Sequence, residues 1–386
     1  MTDKFFELFI LTIFMFQGFP ITIETVILYL YISISYQLFF RIFKYININD
    51  NNIETKRFLT FDDVGLIPKF NKVKSRLETN LQTKLGKDTY NTVFIPANMD
   101  SVIGTELANI CRERGSPIIF HRFAPIETQI EWIRDFPDAY ASIGVQESFK
   151  NFELLYNSNC RRFCIDIAHG HSESVINTIK KIKKKDKTIQ IIAGNVCTYD
   201  GVIDLAKAGA DIIKIGVGPG SACITRMMTG FGVPQFSAIK NCSKAKKIYK
   251  NITLIADGGI KNPRDSVLSL AVGADAVMMG SIFAKTFESA TTKNIIDNKV
   301  YGKYRGQASS DFMNEYYGDK KKRQAEGVVF NIEINKSAND VFDEYEGGLR
   351  SALTYCGTDN INDFKNNVEI FESTSNFMIE SNFRKN

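Results

Sequence analysis

The chain is short of histidine, of paired cysteines and of net charge, and each shortage excludes a class of function. Three histidines in 386 residues offer little to a zinc enzyme, which draws most of its neutral ligands from imidazole. Seven cysteines are present (Cys111, Cys160, Cys164, Cys197, Cys223, Cys242 and Cys356), but no two form a CxxC pair. Cys160 and Cys164 lack the second pair that a tetrahedral zinc site requires, which argues against structural zinc. An odd cysteine count without a framework suits a reducing compartment. Net charge is only +5, with acids and bases interspersed. The densest basic run, Lys180 to Lys187, reads as the solvated end of a helix. A nucleic-acid partner is therefore not expected, since it needs a basic face, although a nucleotide ligand is compatible. No GxGxxG follows an early strand, which argues against a doubly wound dinucleotide fold.

Long apolar runs are not lacking, and they gather at the start. Phe5 to Phe19 is apolar apart from Glu7, Thr12, Gln17 and Gly18. Ile21 to Phe43 is longer, with no charge between Thr25 and Phe40 and with Arg41 and Lys44 after it. The second run is about the length that a bilayer requires, and the first is marginal. No small-residue cleavage site follows a basic start, so a signal peptide is not indicated. The expectation is an N-terminal hydrophobic helical extension over residues 1–45, associated with a membrane through residues 5–43. Arg41, Lys44, Lys56 and Arg57 would leave the catalytic part in the cytosol. The competing reading is an apolar helix packed on the domain or on another subunit, in a cytoplasmic protein. Residues 46–56, rich in Asn and Asp, read as a linker.

From about residue 90 short apolar strands alternate with helix-like stretches. The strand candidates are Val93–Asn98, Pro117–Phe123, Ala139–Val145, Phe163–Ala168, Ile189–Asn195, Asp211–Gly218, Thr253–Gly259 and Ala276–Ser281. Helical patterning separates them at Gly104–Arg114, Ile126–Asp135, Ser172–Lys184, Asp200–Ala208 and Pro263–Val272. Eight βα units imply an α/β protein with a (β/α)8 barrel over residues 57–370, followed by a tail over 371–386.

Polar residues concentrate where these strands end: Asn98, Asp100, His121, Arg122, Asp166, His169, Asn195, Cys223 and Asp257. That rim is where barrels place active sites. The sixth strand runs into Gly216-Val217-Gly218-Pro219-Gly220-Ser221-Ala222-Cys223-Ile224-Thr225. Glycines there permit unusual dihedrals, and the turn presents a thiol two residues before a hydroxyl. The thiol is either a nucleophile or a plain buried cysteine. The seventh and eighth strands end in Asp257-Gly258-Gly259 and Gly280-Ser281, where barrels often bind phosphate through glycine amides. Asp257 could accept hydrogen bonds from ribose hydroxyls. His169 and His171 stand two apart without further metal ligands in view.

Several ordered motifs carry a resemblance. Leu59-Thr60-Phe61-Asp62-Asp63-Val64, Asn98-Met99-Asp100-Ser101-Val102, Ala193-Gly194-Asn195-Val196, the Cys223 loop, Ala256-Asp257-Gly258-Gly259 and Gly347-Gly348-Leu349-Arg350-Ser351 resemble the inosine monophosphate dehydrogenase and guanosine monophosphate reductase superfamily. The likeness runs from about Arg57 to about Asn366. Fewer than twenty residues join Phe123 to Tyr140, leaving no room for the dehydrogenase's regulatory insert. Asp166-Ile167-Ala168-His169-Gly170-His171-Ser172 is similar to the reductase pattern. A mobile flap at about residues 303–330 lacks an Arg-Tyr pair and ends in Arg323-Gln324-Ala325-Glu326-Gly327, which also resembles the reductase.

The resemblance implies reductive deamination of GMP by NADPH, with Cys223 as nucleophile and Thr225 and Glu326 as proton relay. It implies GMP contacts at Ser221, Asp257, Gly258, Gly259, Gly280, Ser281, Gly306, Gln307, Ala308 and the segment Arg323, Gln324, Ala325, Glu326, Gly327. NADPH would run past Ser75, Arg76, Arg122, Asp166, Ile167, Ala168, Val217, Gly218, Ser351, Ala352, Leu353 and Thr354. Arg76 and Arg122 suit a 2′-phosphate, because guanidinium pairs with phosphate oxygens in a fork. Carbonyls of Gly218, Gly220, Cys223 and Arg226 would hold potassium, and relatives are homotetramers. The rival readings are a dehydrogenase that oxidises IMP to XMP with NAD, and a non-catalytic membrane-tethered nucleotide-binding protein.

Overall fold

The computed structural model describes residues 55–145, 149–317, 324–374 and 376–381, with Ile23, Tyr31, Ile34, Ser35 and Leu38. Eight strands form one parallel sheet: β1 (Phe94–Pro96), β2 (Ile119–Phe120), β3 (Tyr140–Ile143), β4 (Arg162–Asp166), β5 (Gln190–Val196), β6 (Ile212–Ile215), β7 (Thr253–Asp257) and β8 (Ala276–Met279). Their spatial order is β2-β3-β4-β5-β6-β7-β8-β1. The first strand thus pairs with the last, through Val277 with Phe94 and Met279 with Pro96. That pairing curls the sheet into a (β/α)8 barrel. Among the described residues no ladder joins β1 to β2, and β2 has two residues.

Strand alternation sorts the core into two layers. Ile95, Ile119, Tyr140, Cys164, Ile192, Ile212, Ile255, Ala276 and Met278 pack together as one buried cluster. Phe94, Phe163, Ile191, Ile213, Leu254 and Val277 belong to the larger cluster shared with the helices. A hairpin, Thr83–Leu85 with Asp88–Tyr90, supplies Leu85 to the first cluster. Its turn is fixed by main-chain donation from Gly86 to Thr253 Oγ1 (2.9 Å) and from Lys87 to Gln190 Oε1 (2.6 Å).

The helices begin where capping chemistry permits. Asn262 accepts from the Asp265 amide ahead of Pro263 at the first turn, and Thr198 accepts from Gly201 before Tyr199–Ala208, in keeping with cap preferences. Glu173–Lys185 buries Val175, Thr178, Ile179 and Ile182 and ends in Lys183, Lys184 and Lys185. The basic run is therefore the end of a helix, although Lys183 is tied to Asp211 (2.7 Å).

After β8 a three-stranded antiparallel sheet, Lys293–Ile296, Lys299–Arg305 and Val329–Glu333, carries the flap and its helix Ser310–Tyr317. Beyond the long helix Ala338–Tyr355, Ile370–Glu372 pairs antiparallel with Val64–Leu66. The tail expected from residue 371 thus begins inside a strand of the domain. All seven cysteines are free. Among the described residues no helix is long and apolar enough to cross a membrane. The segment 5–43 lies outside them except at five positions, which are helical and exposed.

Candidate active site

The sixth strand ends in a turn that only glycine can make at two points. Gly216 has φ +152°, and a Cβ there would lie 2.0 Å from the Asp257 carbonyl oxygen. Gly218 has φ +86°, and its Cβ would meet Arg226 Cγ at 2.7 Å. The loop can therefore lie flat against the β7 end and turn back on itself. The Cys223 amide then donates to the Gly220 carbonyl (3.0 Å), and the thiol comes to rest half-buried.

The Cys223 thiol donates to Thr225 Oγ1 at 3.2 Å, and that hydroxyl donates to Glu326 Oε2 at 2.8 Å. The Thr225 hydroxyl is thus spent on the carboxylate rather than on capping its short helix. Glu326 reaches the thiol from 103 positions downstream because the flap's return strand docks on the loop. Ile224 donates to the Glu326 carbonyl (2.8 Å) and Val328 to that of Ala222 (3.0 Å). From the other side, the Glu326 and Gly327 amides donate to the Ala308 carbonyl (3.0 and 3.1 Å). Gly327 is buried between these two backbones, with Ser309 N only 3.0 Å from the position of a Cβ.

Beside the thiol lies a polar layer centred on Lys214, which sequence reasoning passed over. Its Nζ donates to Asp166 Oδ1 (2.8 Å), Asp257 Oδ2 (3.1 Å) and Asn98 Oδ1 (3.2 Å). Asn195 Nδ2 adds a bond to Asp257 Oδ2 (2.8 Å). Lys214 is 2% exposed. Burial works against its charge, but Asp166 and Asp257 outweigh it and hold its pKa above the ordinary lysine value. Burial likewise pushes Asp166 upward, and Lys214 reverses the sign, keeping it ionised. The signal was a lone charged residue in the apolar strand Ile212–Ile215, a position where lysine is seldom buried unpaired.

The expected phosphate glycines converge on this rim. Gly258 and Gly259 have φ +90° and +81°, and a Cβ on Gly258 would meet Gly220 N at 3.2 Å. A Cβ on Gly280 would lie 2.6 Å from the Tyr304 hydroxyl. Tyr304 also went unflagged by the sequence; its burial raises the phenol to about 12. Ser221 is exposed in the same loop and Ser281 opens the short helix Ser281–Ala284. Gln307 turns its amide to the Asn98 carbonyl (2.8 Å), so it anchors the flap base. Arg305 clasps Asp100 (2.8 Å) and Glu315, and Phe312 and Tyr316 pack on Phe123.

The cofactor residues expected from the sequence lie on different elements. Arg122, Asp166, Ile167, Ala168, Val217 and Gly218 belong to the rim. Arg122 lies over the Phe123 ring (4.2 Å), and its buried Nε has no hydrogen-bond partner. Buried Asp100 Oδ1 and Asn195 Oδ1 are also unpartnered. These atoms fit a site that completes its bonding with a polar ligand. Ser75 and Arg76 instead begin a short turn held to Ala338–Tyr355, where Arg350 bonds Thr79. Ser351 and Ala352 of that helix line an apolar cavity of about 440 Å³ with Leu66, Arg264, Tyr355 and Phe364. Pro263, at the start of the helix that follows Asp257-Gly258-Gly259, lines it as well. Gln324 is exposed, Ala325 is half-buried, and Arg323 lies outside the described residues. His171 pairs with Asp204 (2.9 Å), and no cluster of His, Cys, Asp and Glu suited to a metal occurs among the described residues.

With this geometry in view, residues 58–384 match the model of the IMP dehydrogenase / GMP reductase domain. The chain belongs to that family. A GMP reductase of Staphylococcus epidermidis is 40% identical over 310 residues, covering 78% of this chain and 92% of its own. One from Lactobacillus johnsonii is 39% identical over 306 residues, covering 77% and 89%. The GMP reductase of Bacillus subtilis is 36% identical over 315 residues, covering 79% and 93%. Residues 1–57 precede the family match.

Proposed function

We propose that this chain is an oxidoreductase that converts GMP to IMP and ammonia at the expense of NADPH. The observation that carries the reading is the unbroken chain from Cys223 through Thr225 to Glu326. A nucleophile needs a route for its proton, and a departing amine needs a source of one. Proton release along this chain frees the thiolate to attack C2 of guanine. A C–S bond forms at C2, the C2–N bond breaks, and Thr225 with Glu326 returns the proton to the leaving amine. NADPH supplies a hydride to C2. The C–S bond then breaks with its electron pair on sulfur, IMP departs, and the Cys223 thiolate takes a proton from solvent to recover its thiol. In this reading Asp257 takes the ribose hydroxyls, Gly258, Gly259, Gly280 and Ser281 take the phosphate, and Arg122 with Asp166 takes the cofactor.

The dehydrogenase reading is disfavoured by the short flap. Its Tyr316 packs against Phe312 and Phe123, and the flap sequence carries no adjacent Arg-Tyr pair. The named relatives support the same choice. A direct assay separates the two: NADPH consumption with GMP and ammonia release supports the reductase. NADH formation from IMP and NAD would refute it.

We assign potassium to the carbonyls of Gly218, Gly220, Cys223 and Arg226. The Gly220 and Arg226 carbonyls each accept one main-chain bond, which leaves a second lone pair on each oxygen. The set holds no carboxylate, as suits a weakly held monovalent ion. We also infer a homotetramer, with Ser75, Arg76 and Ser351–Thr354 serving a neighbour's cofactor from the turn Arg76–Glu78 and the helix Ala338–Tyr355. The uncharged run 25–40 supports membrane association, as do exposed Ile23, Tyr31, Ile34 and Leu38. Recovery of the full chain, but not of residues 46–386, in the membrane fraction would bear this out.

A further inference from the structure

We propose that Lys214 is a positioning residue that couples the nucleotide and cofactor sites, because one ammonium holds both Asp257 and Asp166. The inference rests on the functional reading above, which assigns Asp257 to the nucleotide side and Asp166 to the cofactor side. An ammonium has three donors and no acceptor. Here the three are spent on acceptors at the ends of three different strands, Asn98 after β1, Asp166 on β4 and Asp257 on β7. None is left for a ligand, so Lys214 acts through its partners.

Stability alone is a poor reason for this arrangement. Replacing buried ion pairs with apolar side chains of similar volume is often neutral or stabilising. The neighbouring buried positions, Ile192, Ile212 and Ile255, are already apolar. Two carboxylates beside one another demand a counter-charge only if both must stay ionised for another purpose. The bonds to Asp257 from Lys214 and from Asn195 both land on Oδ2, which leaves Oδ1 for a ligand hydroxyl. When a ligand draws Asp257 toward itself, Nζ follows or loosens, and Asp166 feels the change at 2.8 Å. Asn98 extends the chain further. Its Nδ2 donates to Ser142 (3.1 Å), and its carbonyl holds Gln307 at the flap base (2.8 Å). Gly194 allows the close approach, since a Cβ there would lie 2.8 Å from Lys214 Cβ.

The test uses the full-length protein and binary complexes. GMP and NADPH dissociation constants are measured by calorimetry for the wild type, Asp257→Asn and Asp166→Asn. Coupling through Lys214 predicts that Asp257→Asn changes NADPH affinity by about fivefold or more, and that Asp166→Asn does the same for GMP, the range typical of linked sites. In a Lys214→Met background the cross-effects should vanish. Cross-effects below about twofold, or undiminished in Lys214→Met, would overturn the proposal, because a merely structural lysine moves stability but not these cross terms. The first two variants retain the lysine, so the outcome does not depend on Lys214→Met folding. Failure of the wild type to bind GMP or NADPH is a separate result. It would refute the functional reading and the coupling with it.

Discussion

Replacing Glu326 with Gln removes one proton-carrying group and almost nothing else. The glutamine keeps an oxygen able to accept from Thr225 Oγ1, now 2.8 Å from Glu326 Oε2. The main chain of residue 326 stays fixed by its bonds to Ala308 and Ile224 (3.0 and 2.8 Å). Binding geometry should therefore survive, with the GMP KM within about threefold of wild type, as expected when ground-state contacts are kept. The lost function is proton transfer to the leaving amine, and such steps contribute about 100- to 10,000-fold. We expect kcat to fall at least about 100-fold, or roughly 2.7 kcal/mol of transition-state stabilisation. The assay is the loss of NADPH absorbance under saturating GMP, with ammonia measured in parallel. Thr225→Ser, which retains the hydroxyl, should lose far less. If Glu326→Gln kept kcat within about threefold of wild type, the relay would have no catalytic role.

Two further predictions concern stability. Burial lowers the pKa of His121 to about 4, with Asp100 opposing and Arg305 reinforcing the shift, and its Nδ1 accepts from the Phe123 amide (3.2 Å). The folded pKa lies below the unfolded value, so this contribution is complete above about pH 6.5 and is lost as pH falls toward about 4, about 3 kcal/mol in all. His121→Asn should flatten that part of the stability profile in urea titrations; an unchanged slope would show that His121 does not cause it. Gly216→Ala forces a Cβ to within 2.0 Å of the Asp257 carbonyl at φ +152°, so the loop must move. We expect a loss of about 2 kcal/mol or more and of most turnover, read by thermal melts and the same absorbance assay; wild-type behaviour would mean the loop is not held there.

Most of the architecture was legible because the sequence repeats one device. Each of the eight expected strands forms, and Ile126–Asp135 forms over its expected bounds. Short apolar runs ended by small or polar residues leave little choice once helices separate them. The approach of Glu326 to Thr225 (2.8 Å) agrees with the pairing that the resemblance implies. Nothing local to Glu326 says that the return strand of the flap will set it beside Thr225. Lys214 was missed because hydrophobic patterning absorbs one lysine into a strand. Its meaning arises only when curling of the sheet brings Asp166 and Asp257 to it. Ser75 and Arg76 lie at the short turn Arg76–Glu78 and Ser351–Thr354 on the outer helix Ala338–Tyr355, and their cofactor role rests on the resemblance alone. The membrane expectation for 5–43 lies outside the described residues apart from five positions.

The covalent role of Cys223 is the centre of the account, and acid quenching during turnover with GMP and NADPH tests it most directly. Peptide mass spectrometry should find a purine nucleotide attached to Cys223, and Cys223→Ala should bind GMP while neither forming the adduct nor consuming NADPH. Turnover by Cys223→Ala, or an adduct on another residue, would contradict it.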